Sequence, residues 1–232
     1  MKLKNLLTTG GVALAISTFA NAQDQTLAPP TGELKLQQTL VAEGVAPTIE
    51  WNIAYPDLTD CIEINDDGTV TALTNLRVKV RMLGAAVTLG AGGRELPVNV
   101  NVNVGGQTAT FSGVGSSVNS EEVILDTHFS EGEVITWKAK INEFNLPYYD
   151  EGSNNVKVLQ NGESAPDLNG AFGQGSVVDF LAPLLTDGKI SIGNRDLLYL
   201  SELGTTNTNS SAYDLQDAIT LITFEKCNAN SN

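Results

Sequence analysis

Residues 98–104 read Val-Asn-Val-Asn-Val-Asn-Val, a strict two-residue period that a strand can bury on one face and a helix cannot. Two glycines follow, then Gln-Thr-Ala-Thr-Phe-Ser at 107–112. Both central positions of a type I′ turn need positive φ, which glycine takes freely, so Gly105-Gly106 predicts a two-residue hairpin. That loop length fixes a register: Val104 faces Gln107, Asn103 faces Thr108, Val102 faces Ala109, Asn101 faces Thr110, Val100 faces Phe111 and Asn99 faces Ser112. One face is then almost wholly apolar, and the other is a ladder of small uncharged hydrogen-bonding groups. A one-residue slip would bury that whole polar set. Asn99, Asn101, Asn103, Thr108 and Thr110 are therefore candidate ligand-binding residues. From residue 82 to 120 the only charges are Arg94 and Glu95. Sheets usually guard exposed edges with charge, so these strands are either central and covered, or form a polar face or open edge that meets a partner.

The same period recurs along the chain. Strands are expected at 33–41, 48–55, 61–65, 69–83, 98–104, 107–112, 122–129, 133–144, 155–159, 189–192, 197–203 and 218–225. Asp67-Gly68 is a second hairpin signal, read as type I′. Only residues 176–185 have helix-like spacing, and Pro183 limits that segment to a turn or two. The expected fold is all-β: an antiparallel two-sheet sandwich, Ig-like or jelly-roll, with at most one short helix.

Residues 1–22 read as a secretory signal peptide, with Lys2 and Lys4 ahead of an apolar run and Ala20-Asn21-Ala22 as the cleavage pattern. The expected organisation is that signal, an arm over 23–32 containing Pro29-Pro30, and a single sandwich domain over 33–232. Export, extracellular or to the cell surface with the periplasm as alternative, makes Cys61 and Cys227 an expected disulfide. A bridge closing that long a loop is worth at most roughly 5 kcal/mol in the chain-entropy picture. It also favours one domain over two. The formal charge is −14, from 13 basic and 27 acidic residues. Such a surface repels phosphate backbones and disfavours nucleic-acid partners. No second apolar run reaches the ~18 residues of a membrane span, so no integral segment is expected after cleavage.

Motifs for catalysis are lacking. His128 shares a strand face with Asp126, but residues two apart on a strand point side by side, and no G-x-S-x-G elbow occurs. Trp51 alternates with Ile49 and Ile53, and Trp137 with Ile135 and Ala139, so both read as core. Glu63, Asn65, Asp67 and Gly68 echo the start of a calcium loop, but both flanks read as strands and position 12 is Thr74, so the turn reading wins. Asp57 with Asp60, and Asp214 with Asp217, are the candidate Ca²⁺ ligands at a sandwich end; otherwise no cofactor is expected. Tyr148, Tyr149 and Asp150, in an aromatic and acidic loop at 144–152, combine stacking surface with acceptors and are the candidate small-molecule or glycan contacts. The chain is thus expected to be a non-enzymatic structural or adhesive protein of a bacterial surface or matrix. Its expected partners are itself, other surface proteins or glycans. The alternatives are a glycan- or calcium-binding module and, behind both, a secreted hydrolase.

Overall fold

The computed structural model describes residues 31–35, 50–54, 61–168 and 177–225. The expected signal peptide, Cys227, Asp57 and Asp60 lie outside the described residues. In chain order the strands are β1 (Thr31–Lys35), β2 (Glu50–Ala54), β3 (Ile62–Ile64), β4 (Val70–Ala72), β5 (Leu76–Gly84), β6 (Val98–Val104), β7 (Gln107–Gly113), β8 (Val123–Phe129), β9 (Val134–Ile141), β10 (Tyr149–Asp150), β11 (Val156–Gln160), β12 (Leu185–Thr186), β13 (Lys189–Ile190), β14 (Asp196–Ser201) and β15 (Ala218–Glu225). A short helix, α1 (Val177–Leu181), precedes β12. Thr31 and Gly32, expected in the arm, belong to β1, which pairs with β2 antiparallel from Thr31↔Ala54 to Lys35↔Glu50.

Two antiparallel sheets pack face to face as an all-β sandwich. One runs β3-β4-β9-β6-β7, with β10 added beside β9; the other runs β11-β14-β15-β5-β8. Their facing side chains form the main core. Val98, Val100, Val102 and Val104 from one sheet and Val78, Val80, Met82, Tyr199 and Phe224 from the other are all buried. Trp137 stacks on Tyr199 with ring centroids 5.9 Å apart, and its indole N–H donates to Thr220 Oγ1 at 3.0 Å, as a buried indole donor must. β6 alternates buried and half-buried at every residue, and its register with β7 is the one that Gly105-Gly106 implies, from Val104↔Gln107 to Asn99↔Ser112. Both glycines sit at positive φ, 54° and 84°.

Two expectations change. The run 69–83 is not one strand but two, β4 and β5, one in each sheet. Ala72 and Leu76 are both buried with an exposed Leu73 between them, so the apolar run fills the interior by crossing from one sheet to the other. The Asp67-Gly68 turn is not type I′, because Gly68 alone has positive φ there. Gly68 N–H donates to Asn65 O, and Asp67 Oδ1 accepts from both the backbone and hydroxyl of Thr69, at 3.0 and 2.6 Å. The side chain of Asp67 thus completes a longer loop with one left-handed glycine.

The second sheet is covered on its outer face as well. Leu159, Leu198, Leu200, Ile219 and Leu221 form a second buried cluster with Val177 and Leu181 of α1 and Ile190 of β13. That is why β14 and most of β15 are buried on both faces instead of alternating. No helix among the described residues is long and apolar enough to cross a membrane.

Candidate functional site

The outer face of the first sheet gathers six of the sequence-selected residues. Asn99, Asn101 and Asn103 project from β6, Thr108 and Thr110 from β7, and Tyr148 from the segment leading into β10. Their contacts form a four-residue network and, next to it, a separate Asn103–Thr108 pair. Thr110 Oγ1 donates to Asn101 Oδ1 at 2.8 Å, and Asn101 Nδ2 donates to Asn99 Oδ1 at 2.8 Å and to the Tyr148 hydroxyl at 3.2 Å. The Tyr148 hydroxyl in turn donates to Asn99 Oδ1 at 3.0 Å, and Asn103 Nδ2 to Thr108 Oγ1 at 3.0 Å. Lys138 and Lys140 of β9 place their ammonium groups 5.0 and 4.8 Å from the Tyr148 ring centroid, within cation–π range. The ring is therefore committed to two cations and acts as a clamp across β6 and β9, not as an open stacking platform. Tyr149 points the other way and packs against the core, so it is removed from the candidate set.

A depression of about 570 Å³ lies on this face, walled by Asn101, Asn103, Thr108, Thr136, Lys138, Asp150 and Glu151. Amide and hydroxyl groups that both donate and accept stand there beside one cation and two carboxylates. Glu151 closes a gap in the sheet. β4 pairs with β9 at Val134 and Ile135, and β10 pairs at Lys138 and Ala139, leaving the Trp137 edge position open. Glu151 fills it: its carboxylate accepts the Trp137 N–H at 3.0 Å, and its own N–H reaches Trp137 O at 3.3 Å. Burial raises the Glu151 carboxyl above its ordinary range against those hydrogen bonds, with Asp150 and Asp67 adding negative charge nearby. Behind it, the fully buried Tyr199 hydroxyl has no hydrogen-bond partner, and burial followed by the Glu151 charge pushes its phenol up.

A second cluster sits at one end of the sandwich. Asp214 and Asp217, singled out in the sequence, are joined by Glu202; all three are buried, with ligand oxygens within 4.8 Å of one another, an arrangement that can hold a metal ion. Burial raises the Glu202 and Asp217 carboxyls; the charge of Asp214 raises Glu202 further, and the charges of Glu202 and then Asp214 raise Asp217. Five backbone N–H contacts already reach these two groups: Leu203 and Gly204 to Asp217 Oδ2, Gly204 and Thr205 to Glu202 Oε1, and Asp214 to Glu202 Oε2. Those bonds tie both ends of the loop 204–213 to Glu202, just past β14, and its start also to Asp217, just before β15. The cluster opens on a cavity of about 260 Å³ with walls from Val87, Leu96, Ile141, Phe144 and Leu146. Phe144 is 60 % exposed with φ at 63°, so the aromatic loop divides, Phe144 going to this cavity and Tyr148 to the polar face. Glu202 was legible as an acid ending the apolar run 197–203, but periodicity assigned it only to a strand.

Asp126 and His128 form no catalytic pair. Asp126 takes a bidentate contact from Arg77, which holds its carboxyl below the ordinary range. Cys61 is buried at the start of β3 and is not a free thiol.

No protein-family model, curated protein or solved structure matches this chain.

Proposed function

We propose that the chain is an exported, non-catalytic adhesive β-sandwich that binds polyhydroxylated ligands, the glycans of a bacterial surface or matrix, on the outer face of the β10-β9-β6-β7 sheet. One observation carries this: Asn99, Asn101, Thr110 and Tyr148, scattered over fifty residues of sequence, meet in one hydrogen-bond network, with the Asn103–Thr108 pair next to it on the same face, beside a polar depression. A fixed array of amides and hydroxyls matches vicinal sugar hydroxyls, which also donate and accept. Pre-ordering lowers the entropy lost when a ligand is held. The bland alternative, a merely solvated face, does not need a tyrosine clamped by two lysines. Export and a Cys61–Cys227 bridge belong to the same reading and rest on the signal pattern and the cysteine count.

The acidic cluster supplies oxygens of the kind Ca²⁺ takes. With backbone amides already directed at those oxygens, we assign the cluster to holding its loop. The test of the adhesive reading is a glycan array probed with the processed chain, followed by titration of any hit against Tyr148→Ala and Asn103→Ala. Each variant is expected to weaken binding about fivefold, since a lost hydrogen bond is worth about 1 kcal/mol and tenfold is about 1.4. An array without hits, or hits indifferent to both substitutions, would remove the proposal.

A further inference from the structure

We infer that the free edge of β7 is a self-association site, on which a second copy of this chain adds its own β7 in antiparallel register centred on Thr110. Among the described residues no strand pairs with that edge. The other sheet margins are short or charged: β3 has three residues, β8 carries Asp126 paired to Arg77 beside His128, and β11 carries Lys157. β7 runs seven residues, Gln-Thr-Ala-Thr-Phe-Ser-Gly, with no charge, no proline and no break in register. It has none of the usual devices that stop strand addition.

The hairpin fixes which groups face outward. Residues flanking a two-residue loop form a hydrogen-bonded pair, and such pairs alternate along the ladder. Gln107, Ala109, Phe111 and Gly113 therefore direct their backbone groups to β6, while Thr108, Thr110 and Ser112, all exposed, direct theirs to the open edge. A two-fold axis through Thr110 sets Thr110 against Thr110 of the second copy and Thr108 against Ser112 of the second copy. All three outward residues on each copy are then paired, by about six main-chain hydrogen bonds. The side chains match as well. Thr–Thr and Thr–Ser contacts extend the polar ladder, and half-buried Phe111 meets the small Ala109 across the non-hydrogen-bonded positions. The occupant is another copy because the strand is its own complement, and because residues 82–120 form the least charged stretch of a chain at −14, where repulsion between copies is weakest.

The experiment is analytical ultracentrifugation of the processed chain, together with single cysteines under mild oxidation on a non-reducing gel. The wild type is expected to form a dimer at tens of micromolar, and Thr110→Lys, which opposes like charges across the axis, to weaken it at least tenfold. Thr110→Cys is expected to cross-link to itself, since hydrogen-bonded partners sit about 5.5 Å apart at Cα, within disulfide reach. Thr108→Cys alone should stay uncross-linked, but should join Ser112→Cys when the two are mixed. A wild type that stays monomeric at hundreds of micromolar, or a Thr110→Cys variant that never cross-links, overturns the inference. If Thr110→Lys fails to fold by circular dichroism, the cysteine set decides alone.

Discussion

At the scale of single residues, two positions show how tightly the site is built into the fold. A Cβ on Gly68 would stand 2.5 Å from the Glu151 carbonyl oxygen, and the residue sits at φ +79°, so the β3–β4 loop can rest on the Glu151 backbone only if residue 68 is glycine. Gly68→Ala is expected to lose about 1–3 kcal/mol of stability from the strained backbone, with further loss as Glu151 shifts and releases the Trp137 N–H. Chemical denaturation measures it, and an unchanged midpoint would show that the loop has room to move. Tyr199 is the converse case. Its ring stacks on Trp137 while its hydroxyl is buried without a partner, a group whose desolvation costs about 1–3 kcal/mol. Tyr199→Phe keeps the stack and removes the orphan, so a higher melting temperature is expected; a lower one would mean that the hydroxyl bonds a partner after all.

At the scale of elements, the loop 204–213 carries the clearest dependence on pH. Burial raises both the Glu202 and Asp217 carboxyls, so the folded loop retains protons that an unfolded chain gives up near pH 4. The stability tied to this pair is therefore complete below about pH 4 and is lost as pH rises through the raised folded values. Asp217→Asn keeps an acceptor for the Leu203 and Gly204 amides and removes the charge. It should flatten the decline of melting temperature above about pH 4 and raise the value at neutral pH by a few degrees, roughly 2–4 °C per kcal/mol. A wild-type melting temperature that climbs with millimolar calcium, while Asp217→Asn ignores it, would replace the proton by a cation. These elements also show what sequence makes visible. The β6–β7 hairpin was legible to the residue, because alternation and a Gly-Gly turn each demand one local geometry. The cover on the outer face of β14 and β15 was half legible: Leu197-Leu198-Tyr199-Leu200 declares a strand apolar on both sides, but not which distant segment covers it. Glu202 was missed because its role depends on two aspartates brought to it from twelve or more residues away.

At the scale of the whole molecule, charge decides which contacts are available. The described residues include the ion pairs Arg77–Asp126, Lys79–Glu225 and Arg94–Glu143, and with 13 basic against 27 acidic residues the chain totals −14, so carboxylates outnumber the cations that can neutralise them. Two such bodies repel at long range. The Debye length is about 30 Å at 0.01 M salt and about 8 Å at 0.15 M, so salt removes that repulsion while leaving main-chain hydrogen bonds between uncharged edges intact. Association through β7 is therefore expected to tighten as sodium chloride rises over that range, by severalfold in Kd from sedimentation equilibrium. Attraction between opposite charges would give the reverse slope. An association that weakens with salt would place the contact on the Lys138 and Lys140 side of the molecule, against carboxylates of the other copy, and would rule out the uncharged edge as the surface that joins them.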